Sequence, residues 1–172
     1  MSGNTDLDGD FRDFVQEHWL RLCGYITSLG APPDVVDEAA QDAFLVMARE
    51  WHRLCNQAPK AYLFAVARNR AIKLIRKHRG YAAITEPLEA ASVEMIDPRF
   101  DLVHVINRET LVNMLRRLPP RQRQAVELRY IYEFSILEVA EIMGVSAGTV
   151  KRNAHDGMQA LQKLTEEGKE VR

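Results

Sequence analysis

Cysteine is nearly missing from this chain, with Cys23 and Cys55 the two in 172 residues. Two cysteines build no disulfide framework, and a reducing compartment keeps them as thiols. His18, Cys23, His52 and Cys55 amount to four potential zinc donors. Their pairs lack the tight spacing of a zinc knuckle, and Cys23 falls on an apolar helical face beside Leu22 and Ile26. Neither a metal site nor a cofactor is expected. No apolar run approaches the ~20 residues that span a bilayer, and the N-terminus is acidic where a signal peptide is basic. The chain is therefore expected to insert into no membrane and to stay in the cytoplasm. A phosphate-binding glycine loop, a zinc-protease pattern and a nucleophile elbow are all missing, and with them the usual marks of an enzyme. Strand-like alternation, internal repeats and low-complexity tracts are missing too. What is left is helical periodicity, which predicts an all-α protein.

Net charge is also small, −1 with 23 basic and 24 acidic residues. A role with nucleic acid then requires local basic patches set against acidic surface, and the charges are segregated in that way. Residues 1 to 50 hold Asp6, Asp8, Asp10, Asp13, Glu17, Asp34, Asp37, Glu38, Asp42 and Glu50. Lys60 to Arg79 holds Lys60, Arg68, Arg70, Lys73, Arg76, Lys77 and Arg79 and no acidic residue. With 47% apolar and 27% charged residues the chain is not disordered throughout, and its length suits one domain or two small ones.

Along the chain, residues 1–9 are polar and expected to be frayed. Phe11, Phe14, Val15, Leu22, Tyr25, Ile26 and Leu29 then recur at helical spacing until Gly30, Pro32 and Pro33 stop the helix. Asp34 is suited to cap the next helix, with Val35, Ala39, Phe44, Leu45 and Ala48 toward the core and Asp37, Glu38, Gln41, Asp42 and Arg49 outward. An acidic outer face of this kind is equally consistent with plain solvated surface. After Trp51, the stretch HRLCNQAPK loses periodicity and reads as a loop. The spacing predicts a helix over Lys60 to Arg79 with Leu63, Ala67, Ala71 and Leu74 inward. Tyr62, Asn69, Lys73 and Arg76 fall together on its outer side. That mixture of aromatic, amide and cation suits single-stranded nucleic acid, because cations neutralise phosphate while aromatic faces stack unpaired bases. A solvated basic helix is the plainer alternative. Gly80 to Pro98 is aperiodic and reads as a linker. Beyond it Leu102, Val105, Ile106, Leu111, Met114 and Leu115 predict a helix over Asp101 to Leu118, and Pro119-Pro120 separates it from another over Arg121 to Ile131.

Phe134 to Leu164 reads as a helix-turn-helix. Ser135 and Glu138 have the spacing of a capping box, Ile136, Val139, Ala140 and Met143 form a buried stripe, and Gly144 closes the first helix in the left-handed conformation. Ser146 is placed to cap a second helix whose Val150, Ala154, Met158 and Leu161 face inward. Gly148, Lys151, Arg152 and His155 are left on its outer face, at the right spacing to meet base edges in a major groove.

On these motifs the chain resembles the extracytoplasmic-function sigma factors of bacterial RNA polymerase. The segments that carry the likeness are DEAAQDAF at Asp37 to Phe44, AYLFAVARNRAIKLIRKHR at Ala61 to Arg79, LRRLPPRQRQAVELRY at Leu115 to Tyr130 and VAEIMGVSAGTVK at Val139 to Lys151. The resemblance implies two small helical domains joined by a linker. Their expected bounds are a disordered N-terminus over 1–9, sigma region 2 over 10–80, a linker over 81–100, and sigma region 4 over 101–168. It implies that Asp37, Glu38, Gln41 and Asp42 dock on the β′ coiled coil of core RNA polymerase while the second domain meets the β flap. The loop from Trp51 to Lys60 would cradle a base flipped from the −10 element. Tyr62, Arg68, Asn69, Lys73, Arg76 and Lys77 would hold the melted strand, and Ser146, Thr149, Lys151, Arg152 and His155 would meet the −35 element of promoter DNA. The implied activity is promoter-specific initiation and not catalysis, and an anti-sigma protein is the expected restraint. One departure stands out. Where the family usually continues after TVK with Ser-Arg and later Arg-Ala, this chain has Arg152-Asn153 and Asp156-Gly157. A carboxylate that repels phosphate replaces a cation, so an altered −35 preference and a weaker contact are expected. Two rivals remain open on the residues alone. A dimeric helix-turn-helix regulator leaves the Tyr62 to Arg76 stripe unexplained, and a polymerase-binding protein that reads no promoter is suggested by Asp156 and Gly157.

Overall fold

The computed structural model describes residues 4–78 and 108–170. The chain divides between Ile96 and Asp97 into two compact units. All described secondary structure is helical, as the periodicity predicts. The linker expected over 81–100, Arg79, and the apolar positions Leu102, Val105 and Ile106 lie outside the described residues.

The first unit is built from α1 (Asn4–Ser28), α2 (Pro33–Leu54) and α3 (Pro59–His78). Helix α1 already starts at Asn4, inside the stretch expected to be frayed. It ends at Ser28, and Gly30 turns the chain with a φ of 85° that few other residues adopt. Pro33 lies beyond the end of α1, as the sequence predicts, and also opens the next helix, because a proline at the first helical position lacks only an N–H that would go unbonded. Pro32 therefore occupies the cap position, and its carbonyl accepts from the Val36 N–H at 2.9 Å. Asp34 caps nothing. Its Oδ2 lies 3.0 Å from His78 Nε2, tying the start of α2 to the end of α3.

The core stripe of α2 is Val36, Ala40, Ala43, Phe44, Met47, Trp51 and Leu54, with Val35 and Ala39 on its flank. Because Trp51 and Leu54 continue that stripe, the helix runs through His52, Arg53 and Leu54, and the expected loop shrinks to a turn at Cys55–Ala58. Leu45 and Ala48 point away from the core, contrary to the sequence expectation, and Leu45 is 57% exposed. On α3 the buried residues are Ala61, Leu63, Phe64, Ala67, Ala71 and Ile75, so Ile75 takes the inward position expected of Leu74, which is half-buried. Helix α1 closes the bundle with aromatic rings. Phe14 packs against His18 at 4.5 Å, Trp51 at 4.9 Å and Phe44 at 6.4 Å between centroids. His18 is buried, its Nδ1 has no hydrogen-bond partner, and burial holds its pKa below the ordinary 6.5 against the pull of Glu17.

The second unit contains α4 (Arg108–Arg116), α5 (Pro120–Val126), α6 (Ile136–Met143) and α7 (Ala147–Glu170). Between α5 and α6 the chain widens into a π-helical segment, Glu127–Ile131, which extends the helix expected over Arg121 to Ile131. Arg129 Nη1 donates to the Phe134 carbonyl at 2.8 Å and braces the exit from that segment. The core joins Leu111 and Leu115 of α4, Ala125 and Val126 of α5, Val139 and Ile142 of α6, and Val150, Ala154 and Leu161 of α7. Gly157 is buried against α5. A Cβ built there would stand 2.7 Å from Val126 Cγ2 and 3.3 Å from the Gln122 carbonyl oxygen. What looks in the sequence like a lost residue on the reading helix is thus a packing requirement.

Two outcomes follow. Gly157→Ala should destabilise the second unit by about 1–3 kcal/mol through overpacking, read by denaturation with circular dichroism. The Gly157→Ala/Val126→Ala pair should cost less than the two single changes together. In the first unit, a folded-state His18 pKa below its unfolded value means that the unfolded chain binds more protons as pH falls through about 6.5. Stability should be full above that pH and decline below it until the folded pKa is reached. Trp19 and Trp51 both lie in α1 and α2, so tryptophan fluorescence reports this unit. The unfolding midpoint should drop between about pH 7.5 and about pH 5.5, and less so in His18→Leu.

Candidate nucleic-acid interface

On α3, burial of the alanine and leucine stripe leaves the opposite face to polar groups. Asn69, Lys73, Arg76 and Lys77 are exposed, and Tyr62 and Arg68 are half-buried. Arg68, Asn69, Ile72, Lys73 and Arg76 together line a cavity of about 430 Å³. The first turn of α3 has no acidic residue and its last turn holds Arg76 and Lys77, cations that suit the negative end of the helix dipole. The result is a concave basic surface with an amide at its centre, able to neutralise phosphates and hydrogen-bond to base edges. The Cys55–Ala58 turn adjoins the N-terminal end of this helix. In it Ala58 adopts a φ of 46°, and the Ala58 carbonyl accepts the Ala61 N–H at 3.1 Å. Trp51, expected to belong to a base cradle, is instead packed on Phe11 and Phe14 at 5.1 and 4.9 Å. Such a cradle reduces to the turn itself.

The helix-turn-helix is assembled as its capping residues predict. The Ser135 N–H donates to Glu138 Oε2 at 2.8 Å and the Glu138 N–H to Ser135 Oγ at 3.3 Å, closing the capping box. Gly144 ends α6 at a φ of 65°. Ser146 Oγ accepts the Thr149 N–H at 3.1 Å and lies 2.9 Å from Thr149 Oγ1. The two hydroxyls are therefore engaged at the start of α7. Lys151, Arg152 and His155 are exposed along the same helix, while Asp156 is half-buried. His155 also borders an apolar groove of about 520 Å³ between α4 and α7, together with Met114, Tyr130, Met158 and Gln159. Its ring thus stands between the outer face of α7 and that groove.

The acidic residues of α2 do not form one uniform face. Asp37, Glu38 and Gln41 are exposed, whereas Asp42 is half-buried with its Oδ2 3.9 Å from Arg70 Nε of α3. The exposed Leu45 sits among them, one turn beyond Gln41. A helical wheel places Leu45 with Glu38 and Gln41, and its adjacency to Phe44 hides this in a linear reading. Cys23 is a packing residue. Burial, with the Asp37 charge adding to it, pushes its thiol up to about 11. Among the described residues no group of three His, Cys, Asp or Glu side chains could hold a metal ion, and no helix is long and apolar enough to cross a membrane.

Comparison with known proteins matches residues 14–81 to the family model for sigma-70 region 2 and residues 108–167 to that for sigma-70 region 4. The chain is 33% identical to the RNA polymerase sigma-E factor of Streptomyces avermitilis, over 92% of this chain and 84% of that protein. It is 29% identical to the ECF RNA polymerase sigma factor SigW of Bacillus subtilis, over 94% of this chain and 90% of that protein. Among solved structures, the sigma factor RpoE from Bartonella quintana, in complex with the anti-sigma factor NepR, has a similar fold. The TM-score is 0.63 at 22% identity, covering 90% of this chain and 98% of that one. CnrH in complex with the cytosolic domain of CnrY matches at a TM-score of 0.58, over 96% of this chain and 92% of that one.

Proposed function

The chain belongs to the extracytoplasmic-function group of the sigma-70 family, regulatory factors of transcription initiation, and we propose that it binds core RNA polymerase through α2 and directs it to promoters through α3 and α7. The observation that carries this reading is the concave basic surface of α3, where Asn69, Lys73 and Arg76 gather around one cavity. Acidic side chains are absent from it, so phosphate meets no repulsion, and Asn69 supplies a donor and an acceptor for an unpaired base. The −10 element melts onto this surface, with the Cys55–Ala58 turn at its end receiving an unstacked base. The second unit reads the −35 element, with α7 in the major groove and α6 crossing the backbone. Lys151 and His155 approach one strand and Arg152 reaches base edges. The factor contributes binding energy and strand separation, and phosphodiester chemistry stays with the polymerase. By similarity to RpoE in complex with the anti-sigma factor NepR, a dedicated protein is proposed to restrain it.

Reconstituted with core polymerase, the chain should start transcription at discrete sites sharing −10 and −35 elements, and 5′-end sequencing of the transcripts reads this out. Initiation no different from that of core enzyme alone would refute the proposal. Replacing Asn69 and Lys73 by Ala should lower permanganate reactivity of the melted −10 strand about tenfold or more while initial promoter binding changes less. Arg152→Ala should relax the preference at one or two −35 positions by about 1–3 kcal/mol. Equal weakening of every sequence in a randomised promoter pool would make Arg152 a phosphate clamp.

A further inference from the structure

Asp34 Oδ2 of α2 lies 3.0 Å from His78 Nε2 of α3, and Asp42 Oδ2 lies 3.9 Å from Arg70 Nε. The two pairs are eight residues apart on each helix and run in opposite chain directions. Helices α2 and α3 are therefore antiparallel, with Arg70 level with Asp42. A rotation of about 100° per residue brings Lys77 within about 20° of Arg70 and Lys73 within about 60°. All three are exposed. They form one row of cations along the α2 edge of the cavity that Lys73 lines with Arg68, Asn69, Ile72 and Arg76. Asp42 is the carboxylate set against this row. Glu38, one turn before Asp42, is level with Leu74 in the same register, and the exposed cation Arg49, two turns beyond Asp42, is level with Leu63. Asp37 turns toward α1, where its charge acts on Cys23.

We propose that Arg70 is a further phosphate-binding residue of α3 and that Asp42 restrains its hold on single-stranded DNA. This deepens the reading of α3 as the strand-holding surface and rests on it. At 3.9 Å the contact with Asp42 is an ion pair without a hydrogen bond, between side chains 44% and 40% exposed. A pair that loose leaves the guanidinium its donors for a phosphate. The strand that meets Lys73 and Lys77 thereby gains a third cation, at the edge where α3 borders α2. The Asp42 carboxylate acts against it, because it repels the phosphate that Arg70 attracts. Any cation drawn to Asp42 relieves that repulsion and strengthens the grip of α3 on the strand. Since Asp42 belongs to the helix proposed to meet the polymerase, docking and strand binding are coupled through this pair, and each strengthens the other by the same factor.

The test measures, by fluorescence anisotropy at several salt concentrations, the affinity of the full-length chain for a labelled single-stranded oligodeoxynucleotide. Each variant is checked by circular dichroism and unfolding midpoint. Arg70→Gln should weaken binding about two- to fivefold and lower the slope of log affinity against log salt by about 0.7, a change that a merely structural role would not produce. Asp42→Asn should strengthen binding about two- to fivefold in the wild-type and Lys73→Gln backgrounds, and by clearly less in the Arg70→Gln background. Wild-type affinity and slope in Arg70→Gln alongside weakened Lys73→Gln overturn the proposal and leave the α3 surface standing. Wild-type affinity in both removes that surface as well, as does an absence of binding by the wild type and Asp42→Asn alike. An equal gain from Asp42→Asn with and without Arg70 makes the carboxylate a general repeller and overturns the restraint. Should Arg70→Gln fail to fold, Arg70→Met, which keeps the apolar stem, replaces it with the same outcomes.

Discussion

Close approach of helices on small side chains is the constraint on which both units depend. In the first, Ala39, Ala40 and Ala43 of α2 and Ala61, Ala67 and Ala71 of α3 are all buried. Large residues in those places would push the helices apart and leave voids that a bundle of three helices has no other side chains to fill. In the second unit Gly157 has the same role against Val126, with no room even for a methyl group. Because the seams hold so little side-chain volume, the larger groups are distributed elsewhere. The aromatic rings seal the α1 side of the first bundle, and the long polar side chains are left on the outside of α3 and α7.

The charges follow from that packing. The outer face of α2 holds most of its carboxylates and that of α3 its cations, and where the two helices adjoin, aspartates of α2 meet Arg70 and His78 of α3. Arg70 Nε lies 3.9 Å from Asp42 Oδ2 and His78 Nε2 lies 3.0 Å from Asp34 Oδ2. With side-chain exposures from 40% to 67%, water screens all four, so such pairs add little stability. Their effect is to mark the border between an acidic surface and a basic one. A protein of nearly zero net charge can thereby keep a cavity lined by Arg68, Lys73 and Arg76 and free of carboxylates on one surface while carboxylates gather on another.

The second unit combines local and non-local rules in one motif. The capping box at Ser135 and Glu138, the left-handed Gly144 and the Ser146 cap are fixed by residues within a few positions of one another, which makes the helix-turn-helix visible without a structure. The meaning of Asp156 and Gly157 is not local. In sequence both depart from the family pattern. In the fold Gly157 is demanded by Val126, a residue thirty-one positions away, whereas Asp156 remains half-exposed beside the outer face of α7.

The sequence by itself determined the helical class, the helix-turn-helix, and the outer stripe of α3, because period and capping act over short range and the basic run from Lys60 to Arg79 has no competing charge. It also carried the family likeness that residues 14–81 and 108–167 bear out. Only the tertiary structure decided which side of each helix is satisfied by a neighbour. Pro33 opened the second helix besides following the end of the first, Trp51 packed on the Phe11 and Phe14 rings, and Asp42 was drawn toward Arg70. Leu45, apolar and next to Phe44, was left outside because α2 is one continuous helix through Leu54 and its core stripe was already filled by Ala40, Phe44, Met47 and Trp51. A helix fixes the angle between its residues locally, but which angle faces a partner is set only when the partner arrives.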